Sequence, residues 1–268
     1  MRTRALLVAW AACAMSTPAS AGCPKCECYA ELGALDPPEV PKDVALNARV
    51  ITGTVPDPSR KERFVLRAVG GAEVAVASEK LHVETWDTLV LTPKSPLAKN
   101  TDYELVLLRD TNTIPYATMH TSDGADTTAP TWEGALHAEY VPADSCDTEC
   151  KWRRGARVEI KAPVPVDDRS GVELVAVWVT SGAAINYGKP VTAYVRVNPE
   201  DDGGLGVALG SHEPAKVTII VGGAGPCTEQ TVAIPRGARR IRVGMKVFDR
   251  AGNASAPREV ELKLAAAK

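Results

Sequence analysis

Thiols are the side chains of this sequence with the widest chemistry, and they stand at Cys13, Cys23, Cys26, Cys28, Cys146, Cys150 and Cys227. A thiol can oxidise to a disulfide, carry a lipid or, as thiolate, ligate a metal. Which of these applies depends on the compartment, and the N-terminus indicates one. Arg2 and Arg4 form a cationic start. Residues 5–15 are an apolar run too short to span a bilayer, and Ala19-Ser20-Ala21 supplies the small-x-small pattern of a cleaved export signal. Residues 1–21 are therefore expected to be a signal peptide. Cleavage after Ala21 removes Cys13 and leaves six cysteines, an even set that is expected to pair in an oxidising compartment.

Sequence alone does not fix the pairing. A bridge from Cys227 to Cys146 or Cys150 is favoured, because all three lie in the C-terminal half beside the turn formers Asp144-Ser145 and Gly225-Pro226. Such a bridge would stabilise the fold by about 2–4 kcal/mol. For Cys23, Cys26 and Cys28, disulfide bonding is the first expectation. Lipidation of Cys23 is the second, since Ser20-Ala21-Gly22-Cys23 is lipobox-like with Ser where Leu is usual. Metal binding is the third. It needs four ligands, and neither a neighbouring His nor a second CxxC completes the set.

Other chemistry-bearing groups are sparse. His82, His120, His137 and His212 lack the HExxH spacing of a metal site and the context of a nucleophile elbow. Acidic groups cluster at 144–149, at Asp167-Asp168 and at Glu200-Asp201-Asp202, and Asp123 and Asp126 lie in a linker. Calcium needs several converging oxygens; solvated turns are the expectation for these carboxylates. Gly203-Gly204-Leu205-Gly206 is followed by no Lys-Ser/Thr pair and is not a phosphate loop. Trp152, flanked by Arg153 and Arg154 in the cysteine-bearing loop, is a candidate contact for a protein or glycan partner. No catalytic constellation, cofactor site or metal site is expected.

The elements that must carry these groups read as strands. Twenty Pro and 21 Gly in 268 residues argue against long helices and for frequent turns. Residues 22–43 form a Cys- and Pro-rich segment and spacer. Apolar alternation then marks strands at 49–55, 63–68, 73–77, 81–86, 88–92, 103–108 and 114–119. The polar stretch 123–130 ends in Pro130 and separates a domain over 44–122 from a second over 131–268. In the latter, strands are expected at 133–139, 156–161, 173–180, 192–197, 216–221, 230–234, 241–248 and 258–264, with long loops at 142–155 and 198–212. Short strands with turns between them spell an all-β sandwich. The formal net charge of −2 gives no reason to expect nucleic-acid or anionic-membrane binding.

Leu97 followed by Tyr103 at a strand start has the spacing of a tyrosine corner. With the Pro-rich opening, Leu91-Thr92-Pro93, and an exit through Thr121-Ser122-Asp123 into Thr128-Ala129-Pro130-Thr131, residues 37–126 resemble the bacterial Ig-like domains of surface-layer and adhesin proteins. Lys99 stands where that family commonly has Pro, and the first domain lacks an Asp-x-x-Gly-Asn turn before its last strand, which argues against calcium dependence there. The second domain carries that turn as Asp249-Arg250-Ala251-Gly252-Asn253 and is similar to the last hairpin of bacterial Ig-like and fibronectin-III-like repeats. The resemblance implies two tandem Ig-like sandwiches. It also implies a non-enzymatic envelope protein, periplasmic, outer-membrane-anchored or extracellular, that binds a protein or glycan or acts as a spacer. It would meet the membrane only through a lipid anchor. The competing expectations are an accessory to an envelope enzyme and a periplasmic metal-handling protein using the N-terminal cysteines.

Overall fold

The computed structural model describes residues 43–52, 55–83, 86–141, 154–197, 216–224, 234–235 and 237–264. These residues form fourteen β-strands and one 3-10 turn at Pro58–Arg60, with no α-helix among them. Asp57 starts that turn, accepting from the Ser59 amide at 2.9 Å. The all-β expectation holds, and the reason is visible in the side chains: Val, Ile, Thr and Leu dominate the paired stretches, where branched chains fit a pleated surface.

In the N-terminal half, β1 (Asp43–Val44), β7 (Asn112–Thr121), β6 (Asp102–Arg109) and β3 (Arg63–Ala68) form one four-stranded sheet in that order. β4 (Val76–Val83), β5 (Trp86–Pro93) and β2 (Val50–Ile51) form the facing layer. Between them lies a core of Val44, Val50, Phe64, Leu66, Leu91, Leu97, Tyr103, Leu105, Leu107 and Met119. Antiparallel registers such as Leu66 with Leu105 and Phe64 with Leu107 put these residues on one face. Among the described residues β7 is covered on its outer side by the two-residue β1 alone, and it carries both Pro115 and a register shift opposite Leu105 and Val106.

In the C-terminal half, β12 (Lys216–Ala224), β9 (Arg154–Pro163) and β8 (His137–Val141) form a three-stranded sheet. It packs on β14 (Arg258–Lys263), β13 (Arg240–Asp249), β10 (Val172–Thr180) and β11 (Ala193–Arg196). The core between them includes Val158, Ile160, Val175, Val177, Val195, Ile219, Val221, Ile241, Val243 and Met245. Along β13, Ile241, Val243, Met245 and Val247 face the core at every second position, while Arg240, Arg242 and Lys246 lie on the other face.

The two halves share a sheet. β11 pairs in parallel with β4 at Tyr194 and Val83, joining both inner layers into one seven-stranded sheet ordered β14-β13-β10-β11-β4-β5-β2. A small apolar cluster seals this seam, with Ile51, Val83 and Val90 from one half and Leu174, Tyr194 and Phe248 from the other.

Several sequence expectations need correction in detail. The strand expected at 73–77 begins at Val76 and runs through to Val83, so Ser78, Glu79 and Lys80 are strand rather than turn. Their side chains are exposed, and a strand with both faces wet shows no alternation. Among the described residues of 49–55, Val50 and Ile51 alone are strand. The strand expected at 133–139 lies instead at His137–Val141, because Gly134 adopts φ 91 and bends the chain before it. The strand expected at 230–234 falls almost wholly outside the described residues.

Candidate functional site

A polar cluster with a buried centre lies where the linker crosses between the halves. The buried Asp126 is only 1% exposed, although it belongs to a stretch that reads as solvated linker. Every polar group it carries is engaged. Its main-chain N–H donates to Asn47 Oδ1 at 2.8 Å, and its carbonyl accepts from Asn47 Nδ2 at 2.7 Å. Asn253 Nδ2 also donates to that carbonyl, at 3.2 Å. In the carboxylate, Oδ1 accepts from the Thr128 amide at 3.0 Å and Oδ2 accepts from Ser170 Oγ. These contacts draw on three separated pieces of chain: the turn after β1, the loop before β10, and the β13–β14 hairpin.

That hairpin is built by Asp249, Gly252 and Asn253. Asp249 is fully buried. Its Oδ1 accepts from the Asn253 amide and its Oδ2 from Asn253 Nδ2, each at 2.8 Å. Gly252 sits at φ 92, in the region that only glycine enters without strain. Burial raises the Asp249 carboxyl above its ordinary value of 3.8, and the neighbouring Asp126 and Asp167 raise it further, against the lowering effect of Asn253.

Arg49 enters the same hairpin from the other half. Its amide donates to the Arg250 carbonyl at 2.7 Å and its Nη2 donates to the Asp249 carbonyl at 3.0 Å. Arg169 returns the tie, donating to the Ala125 carbonyl at 3.0 Å and to Ser122 Oγ at 3.4 Å.

Asp126, Asp167 and Asp168 each bring one carboxylate oxygen within 4.8 Å of the others, the one such trio among the described residues. Asp167 Oδ2 already accepts from the amides of Arg169 and Gly171, while its Oδ1 is buried without a partner. A hard cation takes six or more oxygens as a rule. Both carboxylate oxygens of Asp126 serve the joint, so this trio offers only part of such a shell. The expectation of solvated turns fits the exposed Asp168 and fails for the buried Asp126.

A shallow depression of about 570 Å³ lies elsewhere, on the outer face of the four-stranded sheet, and is lined by Asp43, Val69, Asp102, Thr118, Met119 and His120. There His120 Nδ1 meets Asp102 Oδ1 at 2.7 Å. Both side chains are solvent-exposed, and the pair reads as a surface contact.

The remaining singled-out residues divide clearly. Tyr103 is buried, and its phenol oxygen accepts from the Ala98 amide at 2.9 Å, beside buried Leu97. On the face of β10 turned away from the second core, Trp178 is buried edge-on against Tyr187 and donates from Nε1 to the Lys189 carbonyl at 3.1 Å. Arg154 opens β9. Cys23, Cys26, Cys28, Cys146, Cys150, Cys227, Trp152 and Arg153 lie outside the described residues. Asn47, Arg49 and Ser170 were not legible as functional positions, because each is an ordinary polar residue in a loop with a partner remote in sequence. The one available signal was the Asp249-to-Asn253 turn.

No protein-family model matches the chain, and no curated protein resembles it significantly.

Proposed function

We propose that this is an exported, non-enzymatic protein of the bacterial cell envelope, made of two tandem Ig-like sandwiches, that works as a rigid spacer presenting binding loops. The observation that carries the reading is the seven-stranded sheet running through both halves and clasped at the linker by Asn47, Asp126, Ser170 and Asn253. A hinge built for catalysis or capture would leave the linker polar groups to water. Here they are spent on holding the two halves in one orientation, which is what a spacer requires. The strand orders, with β4-β5-β2 facing β1-β7-β6-β3, support the Ig-like assignment, as does the phenol-to-amide bond of Tyr103. The leader pattern at 1–21 supports export, and Trp152 with Arg153 and Arg154 supports a protein or glycan partner.

Expression of the full chain in a bacterial host tests this. The expected product starts at Gly22, or carries lipid on Cys23, and fractionates with the envelope with its cysteines oxidised. Protein and glycan arrays probed with it are expected to give a signal that Trp152→Ala lowers. An uncleaved chain in the cytosol with free thiols overturns the proposal.

A further inference from the structure

We infer that Arg49 is a latch that plugs the first half into the β13–β14 hairpin of the second and makes the two halves open as one cooperative unit. Arg49 lies between β1 and β2, immediately before the strand residues Val50 and Ile51, and Ile51 belongs to the apolar seam. Its main chain and its side chain both bond the hairpin, at the Arg250 and Asp249 carbonyls. The fit is also steric. A Cβ placed on Gly252 would stand 3.3 Å from Arg49 Cζ and Nε, so the guanidinium fills the room a side chain there would claim. Gly252 is thus favoured by its φ of 92, and a side chain there would also press on the arginine above it. Arg49 Nε is buried without a hydrogen-bond partner, a cost that a solvent-facing arginine would escape.

A planar fork suits this socket, whereas an ammonium presents a single charged point and cannot lie flat over a glycine. The socket carbonyls come from Asp249, the last residue of β13, and from Arg250, the first beyond it, and β13 carries Ile241, Val243, Met245 and Val247 of the second core. Strain on Arg49 therefore reaches β13 on one side and β2 on the other. The inference concerns the joint alone and does not depend on where the protein resides.

Hydrogen exchange on the full chain, with limited proteolysis across 123–130, tests it. In the unaltered protein the slowest amides of β6 and β13 are expected to exchange at matching rates, as members of one opening unit. In Arg49→Ala and Arg49→Lys those rates separate, and the linker is cut about tenfold faster, the equivalent of one charge-assisted hydrogen bond. Arg60→Ala, which removes an exposed ion pair with Asp57, leaves both readouts unchanged. Unmatched rates in the unaltered protein overturn the latch. So do matched rates with unchanged cleavage in Arg49→Lys, the variant that decides the matter if Arg49→Ala does not fold.

Discussion

Tyr103 and Asp249 do the same job in the two halves by different means. Each is a buried polar side chain at an end of a central strand, β6 or β13, and each bonds chain a few residues away. The Tyr103 phenol stops there, fixing a corner within its own half. The Asp249 turn continues outward, since Asn253 also donates to the Asp126 carbonyl and Arg49 donates to that of Asp249. A buried polar side chain thus makes a local lock or a long-range clasp, depending on whether the residues it engages have donors to spare. Tyrosine has one hydroxyl, whereas asparagine brings an amide that can be shared between two acceptors.

The largest effect expected to test this contrast falls on the seam. Leu174→Ala empties a buried site between the halves and should cost about 2–5 kcal/mol. The loss is expected in both halves together, seen as a lowered denaturation midpoint without a second transition. Asn253→Ala comes next: the backbone amide still serves Asp249 Oδ1, but the side-chain donor to Oδ2 of the fully buried carboxylate and to the Asp126 carbonyl is gone, a loss of about 2 kcal/mol. Calorimetry measures it, and Asp249→Asn in the same background should recover part of it. Tyr103→Phe strands a single amide at Ala98 and should cost about 1 kcal/mol, confined to exchange rates in the first half.

The smallest effect is one of sign. Asp249 titrates above its unfolded value of 3.8, so the stability it contributes is complete in acid and is lost as pH rises through its folded value. Glu62 behaves in the opposite way: its carboxyl is lowered, first by the Asp57 amide and then by Arg109, against the effect of desolvation. Its contribution is present above 4.5 and is lost as pH falls through its folded value. Exchange rates followed from neutral pH into acid should therefore loosen the Glu62 turn while the β13–β14 hairpin tightens. Asp249→Asn should abolish only the second trend.

The strands were legible wherever one face is dry. β3, β6 and β13 lie close to their expected bounds because buried and exposed positions differ in residue type, and β10, buried on both faces, because its apolar run is nearly unbroken. β4 was misread at Ser78 to Lys80, where solvent on both sides leaves the sequence without a period. Asp126 was misread for another reason. Its burial is imposed by Asn47, 79 residues away, and Asn253, 127 residues away, so the surrounding linker sequence carries no trace of it. The Asp249 turn stood out because its chemistry closes on itself within five residues. What it also reaches depends on the packing of the halves, which local pattern does not encode.

The flank formed by β7 has a consequence for life among many copies. A long strand with one side nearly bare would ordinarily invite a neighbouring chain to add its own. Pro115 brings no amide proton to β7, and the bulge beside it at Tyr116 twists the strand, so β7 is a poor template for such growth. Molecules crowded side by side on a surface would be kept from zipping together into fibres along this border.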